Sequence, residues 1–211
     1  MNYEAVIFDL DGVICHTDKY HYMAWKEIAG ELGIVFDRRI NDRMRGISRM
    51  ESMEILLENF KGHLSWQEKE CYADKKNRIY RSLLKNISEA DLDRDVKATL
   101  CSIKASRIRV AIGSSSKNTK FILEQLGLKD FFDAVADGTD ITRSKPDPEV
   151  FLKAADYLNM KPEKCLVVED AKAGVEAAEA AGMDCAAMGD AKNFEAADYV
   201  LGRFSDLLDI V

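Results

Sequence analysis

The sequence predicts an α/β fold, a doubly wound parallel sheet interrupted after its first strand by an all-helical insert. Three observations predict it. An apolar run, Glu4–Leu10, ends in Asp-Leu-Asp-Gly and reads as a buried strand followed by a turn. From residue 16 to residue 107 apolar residues recur at helical spacing and no convincing strand occurs. Beyond Arg109, short apolar runs alternate with helical stretches, the pattern of β–α–β units.

Taken in order, Tyr20–Leu32 carries Tyr22, Trp25, Ile28, Ala29 and Leu32 at spacings of three and four, and Gly33 closes the helix as its C′ residue. Further helical patterns cover Ser52–Asn59, Gln67–Leu84 and Asp95–Ser106. Arg109–Ser114 is expected to be a strand, Lys117–Leu126 a helix ended by Gly127, and Phe132–Asp137 a strand. Asp147 is expected to cap a helix whose first residue is Pro148. Cys165–Asp170 reads as a strand, Ala171–Ala181 as a helix ended by Gly182, and Cys185–Met188 and Tyr199–Leu201 as short strands. The expected division is a core of residues 1–15 and 87–211 with a helical cap of residues 16–86. Chemistry in such sheets gathers at the carboxyl ends of the strands, so an insert rooted there would form a lid.

The bulk numbers bound the function. A chain of 211 residues suffices for one well-buried domain or a core with a modest second unit. A net charge of −7 argues against a general nucleic-acid binder, and an anionic substrate would need a local cluster of Lys and Arg. The five cysteines are scattered without CxxC spacing, which points to a reducing cytoplasm and away from a disulfide framework or zinc site. Neither a signal peptide nor a membrane span is expected, and the expected state is a monomer.

Asp9 and Asp11 fall at the end of the first strand, and Glu169 and Asp170 at the end of another. Each pair alone is a common turn or cap. Four carboxylates converging on one sheet edge repel unless a cation lies among them, and oxygen-only ligands select a hard ion, Mg²⁺ first. Two anion binders sit at the intervening strand ends: Ser114, Ser115 and Ser116 leading into Lys117 and Asn118, and Lys145 before Pro146.

Phe8-Asp9-Leu10-Asp11-Gly12-Val13, Ser114, Lys145-Pro146 and Val168-Glu169-Asp170 resemble the four ordered motifs of the haloacid dehalogenase superfamily, whose Rossmann-like core carries an inserted cap. That resemblance implies that Asp9 attacks a phosphoryl group to form an aspartyl phosphate. Asp11 would protonate the leaving oxygen and deprotonate the next acceptor. Ser114 and Lys145 would hold the transferring phosphate, while Asp9, the Asp11 carbonyl, Glu169 and Asp170 would face Mg²⁺.

Thr17, His21, Trp25, the Arg45-Gly46-x-Ser48-Arg49 loop with Ser52, Lys76-Asn77 and Ser116-Lys117-Asn118 resemble the β-phosphoglucomutase family within that superfamily. The resemblance implies that Arg49, Ser116, Lys117 and Asn118 grip a second phosphate, with Trp25, Arg45, Gly46, Ser52 and Ser115 lining the substrate site. His21 and Lys76 would order Asp11 and the sugar, and Thr17 would contact Asp11. The implied substrate is a hexose phosphate: β-D-glucose 1-phosphate and glucose 6-phosphate would interconvert through glucose 1,6-bisphosphate, which also primes the enzyme. Trp25 equally fits the apolar stripe of the lid. A sugar-phosphate or phosphoglycolate-type phosphatase on the same scaffold stays open, and so does a non-enzymatic phospho-aspartate switch, which the long insert and the Asp9-x-Asp11 spacing disfavour.

Overall fold

The computed structural model describes residues 3–211; the first two residues of the expected core segment 1–15 lie outside it. Six strands form one parallel sheet: β1 (Ala5–Phe8), β2 (Arg109–Gly113), β3 (Ala134–Ala136), β4 (Cys165–Glu169), β5 (Asp184–Ala187) and β6 (Tyr199–Val200). Their order is β3-β2-β1-β4-β5-β6, so the sheet winds in opposite directions on either side of β1. Along β1, Val6 and Phe8 enter one apolar cluster while Ala5 and Ile7 enter the other, the period-two alternation of a strand buried on both faces. Helices α5 (Arg94–Ala105) and α6 (Thr119–Gln125) cover the first face through Val96, Leu100, Ile103, Ile122 and Leu123. Helices α7 (Glu149–Tyr157) and α8 (Lys172–Ala180) cover the second through Val150, Phe151, Val175 and Ala178. Burying each large apolar side chain contributes about 1.5–3 kcal/mol, which makes the sheet the rigid part of the molecule.

Between β1 and α5 lie four α-helices: α1 (Asp18–Glu31), α2 (Arg38–Asp42), α3 (Arg49–Leu57) and α4 (Trp66–Leu84). They have an apolar cluster of their own, around Trp25, Ile28, Phe36, Met44, Met53 and Leu56. The insert is also rooted in the main core, because Ala24, Tyr80 and Leu84 pack there.

Several boundaries differ from expectation, for local reasons. Helix α3 starts at Arg49 rather than Ser52, because Ser48 and Glu51 form a capping box. Helix α2 was not anticipated; Asp37 caps it by accepting the Ile40 N–H at 3.0 Å. Helix α6 starts at Thr119 rather than Lys117, because the Ser114 and Ser116 hydroxyls accept the N–H groups of Ser116 and Asn118 in turns, both at 3.2 Å. Lys117 and Asn118 therefore lie before the helix. Helix α7 starts at Glu149 and not Pro148; Asp147 still accepts the Glu149 N–H, at 3.0 Å. The strands are shorter than the apolar runs, since β1 ends at Phe8 and β4 at Glu169.

Candidate active site

Strand register brings the acidic and phosphate-binding candidates together. Phe8 pairs with Ile112 on one side and Val168 on the other, so Asp9 emerges level with Gly113 and Glu169. The Asp9 N–H donates to Val168 O at 3.0 Å, and the Ser114 N–H to Ala136 O at 3.1 Å. This is the place where strand order reverses, the usual ligand crevice of open α/β sheets. The chain then turns tightly: Gly12 N–H donates to Cys15 O at 2.6 Å, with Gly12 at φ +95°.

Lys145 is fully buried and bridges two carboxylates, Asp9 at 2.5 Å and Glu169 at 2.6 Å. Its ammonium lies over the Phe151 ring, 4.5 Å from the centroid. Burial favours the neutral amine, but Asp9 and Glu169 outweigh it and hold the ammonium above its usual range. Glu169 also accepts the N–H groups of Asp170 and Ala171, at 2.8 and 2.9 Å. Burial, with help from Glu169 and Asp11 and against Lys145, pushes Asp9 up to about 7. Burial pushes Asp170 to about 8, reinforced by Glu169 and Asp9 and opposed by Arg45. Asp11 is pushed to about 6 by burial, against the hydrogen bond it accepts from Thr17. Each rise is mainly the penalty of burying a charged carboxylate, which neighbouring acids reinforce and the nearby cations and hydrogen bonds only partly offset. Burial likewise keeps Cys15 a thiol, so it packs rather than reacts.

A cavity of about 1110 Å³ lies between sheet edge and insert. Asp9, Asp11 and Ser114–Asn118 line it from the core, and His21, Trp25, Arg45, Gly46, Arg49, Ser52 and Lys76 from the insert. Lys145, Glu169 and Thr17 sit behind this lining and act on the residues that form it. Trp25 is 2% exposed and belongs to the insert's apolar cluster, so the lid-core reading holds even though it borders the cavity. Ser52 is buried and donates to Ser48 O at 2.9 Å. Arg45 lines the cavity, yet its guanidinium is held by carboxylates: Asp170, Asp190, and Asp18 at 3.3 Å. Arg49 pairs with Asp74 at 3.2 Å.

Lys76 is buried, 2.8 Å from His21 Nδ1, with its ammonium over the Trp25 and Tyr80 rings. Burial and Arg49 lower Lys76 to about 7; burial, Lys76 and Arg49 lower His21 well below the usual imidazole range. Asn118 Nδ2 donates to Asn77 Oδ1 at 2.9 Å, a bond between core and insert. Ser144 donates to Glu51 across the same seam.

Two glycines complete the site: Gly12, which belongs to the turn of the first motif, and Gly174, which no sequence motif singles out. A Cβ on Gly174 would fall 1.9 Å from the Glu169 carboxylate, and one on Gly12 2.1 Å from Asp170 Oδ2. A glycine inside the Ala/Glu-rich stretch of α8 was the available signal, since Gly is costly there without a steric reason.

The profile of the haloacid dehalogenase-like hydrolases matches residues 3–182. The chain belongs to the haloacid dehalogenase-like hydrolase family. It is 41% identical to the β-phosphoglucomutase of Bacillus subtilis (strain 168) over 206 residues, covering 97% of this chain and 91% of that protein. It is 34% identical over 185 residues to a phosphorylated carbohydrates phosphatase of Thermotoga maritima, covering 86% of this chain and 82% of the relative. Among solved structures, the β-phosphoglucomutase of Clostridium difficile superposes with a TM-score of 0.92 at 40% identity, over 97% of this chain and 93% of the other. As a member of the haloacid dehalogenase superfamily, the chain is an enzyme. No helix among the described residues is long and apolar enough to cross a membrane.

Proposed function

We propose that this enzyme is a phosphotransferase interconverting β-D-glucose 1-phosphate and glucose 6-phosphate, with residues 16–86 as its cap. One observation carries the reading: a single cavity is lined both by Asp9 with Ser114 and by a second basic group, Arg49 and Lys117 with Ser116 and Asn118. A mutase must hold a bisphosphate at both ends, whereas a hydrolase needs only the first site.

Asp9 Oδ attacks phosphorus, the P–O bond to the sugar breaks, and Asp11 supplies the proton that leaves with the sugar oxygen. In the reverse sense Asp11 takes the proton of the accepting sugar hydroxyl as the aspartyl phosphate passes its phosphoryl group on. A bound glucose 1,6-bisphosphate turns end for end between the two half-reactions and also primes Asp9. A carboxyl group pushed to about 6 suits both directions near neutral pH. Thr17, donating to Asp11, positions it for this work. His21 and Lys76 are proposed to orient the sugar, and Trp25, Arg45, Gly46, Ser52 and Ser115 to shape the substrate site.

The residues fit Mg²⁺. Among the described residues no three His, Cys, Asp or Glu side chains form a ready-made cage. Mg²⁺ needs none, because it keeps waters and takes substrate oxygens beside one or two carboxylates. The donors here are hard oxygens, and Gly12 leaves room for the Asp170 carboxylate against the turn that carries Asp11. Asp9, the Asp11 carbonyl, Asp170 and, behind them, Glu169 would hold the ion. When bound it would neutralise charge on the transferring phosphoryl group.

The deciding experiment is a coupled assay for glucose 6-phosphate from β-glucose 1-phosphate, with Mg²⁺ and a trace of glucose 1,6-bisphosphate. Steady phosphate release without isomerisation would replace the mutase with the sugar-phosphate phosphatase that the Thermotoga relative brings to mind. Arg49→Ala should remove most mutase turnover while hydrolysis of a small aryl phosphate survives; equal loss of both would remove Arg49 from the second site.

A further inference from the structure

We infer that Arg45 is an internal counter-ion competing with the divalent cation for Asp170, so that cation entry and docking of the Arg45–Gly46 loop oppose each other. The inference rests on the cation site proposed above. Lys145 is shared between Asp9 and Glu169, which leaves Asp170 without a core ammonium. Its charge is met from the insert instead: one arm of the Arg45 fork holds Asp170 Oδ2 and the other holds Asp190 Oδ2, with Asp18 at 3.3 Å from the first.

The fork is delivered by close backbone approach. Gly46, at φ +76°, lies so near the start of α8 that an added Cβ would come within 3.3 Å of Ala171 Cβ. Arg45 is thus carried to Asp170 when the loop seats on Ala171. A dication on the Asp170 carboxylate and a guanidinium on the same oxygen repel strongly in a partly buried site. The singly charged fork must then yield, falling back on Asp18 and Asp190. Linkage makes the effect reciprocal: the factor by which docked Arg45 weakens the cation is the factor by which the cation weakens docking. A lysine would carry the same charge without the fork that reaches Asp170 and Asp190 together.

The test is a Mn²⁺ titration of the full chain, without sugar or phosphate, following free Mn²⁺ by electron paramagnetic resonance. Arg45→Met should bind about tenfold more tightly than the wild type, roughly 1.4 kcal/mol, with Arg45→Lys between them. Arg43→Met is the control for lost charge: its guanidinium pairs with Glu58 at 2.6 and 2.5 Å, and its affinity should match the wild type. In parallel, Mg²⁺ should speed hydrogen exchange of the 43–50 segment in the wild type and leave it unchanged in Arg45→Met. Equal affinities for wild type and Arg45→Met would overturn the inference, and so would an equal gain in Arg43→Met. Both results would leave the cation site standing. No saturable binding in either protein would overturn the cation site and the inference with it.

Discussion

Lys145→Met removes the ammonium that Asp9 and Glu169 share and that lies over the Phe151 ring, and keeps the length of the apolar stem. The wild-type Lys145 is fully buried, so its loss leaves two buried carboxylates without the counter-charge they share. Breaking a buried pair from one side costs about 3–5 kcal/mol. The loss has a pH signature. Asp9 is raised to about 7, so it binds more protons folded than unfolded between the unfolded carboxylate range and that value. Stability held by its protonated form is complete at low pH and is lost as pH rises through about 7. Without Lys145 the folded value climbs further, and the deficit of the variant must grow from pH 5 to pH 8. Neutralising a carboxylate at pH 5 costs only about 1.4 kcal/mol per unit above its unfolded value, so much of the penalty is relieved there. For a chain of this length the full loss is roughly 6–20 °C in Tm. Thermal unfolding in EDTA at pH 5 and pH 8 measures both numbers. A loss below about 1 kcal/mol at pH 8, or an equal loss at both pH values, would refute the reasoning.

Gly174→Ala should lower the urea midpoint by an amount equivalent to about 1–2 kcal/mol, because the Glu169 carboxylate occupies the space of the new methyl. Helix propensity alone predicts a gain, so stabilisation would refute the steric account. Thr17→Val keeps a buried volume and removes the hydroxyl that donates to Asp11; kcat should fall about 10²-fold with Tm nearly unchanged, and an unaltered kcat would count against Asp11 as the proton carrier. Asp9→Asn should abolish phosphoryl transfer to sugar and to water alike, and residual turnover in a discontinuous phosphate assay would mean another nucleophile.

The doubly wound sheet was legible because buried strands write continuous apolar runs and their helices write stripes, as β1 and α5 do. The carboxylates proposed as catalytic and cation-binding were legible because they follow those runs directly. The start of α6 is not legible in the sequence, because the Ser114 and Ser116 hydroxyls take the next N–H groups into local turns before the helix can begin. The carboxylate partners of Arg45 are not legible in the sequence, because nothing local ties it to Asp170, 125 positions away, or to Asp190. The steric roles of Gly12 and Gly174 were not legible, since the space each leaves is defined by a carboxylate it does not adjoin in sequence.

By itself the sequence determined which residue types stand at which strand ends, and through them the family, because those signals are local and periodic. Only the tertiary structure decided which charges meet, Lys145 on Asp9 and Glu169 and Arg45 on Asp170, and that Trp25 packs in the insert's core. Parallel register set the first of these, and docking of the insert set the second. Pairing between distant charges depends on chain geometry, which no short window of residues contains.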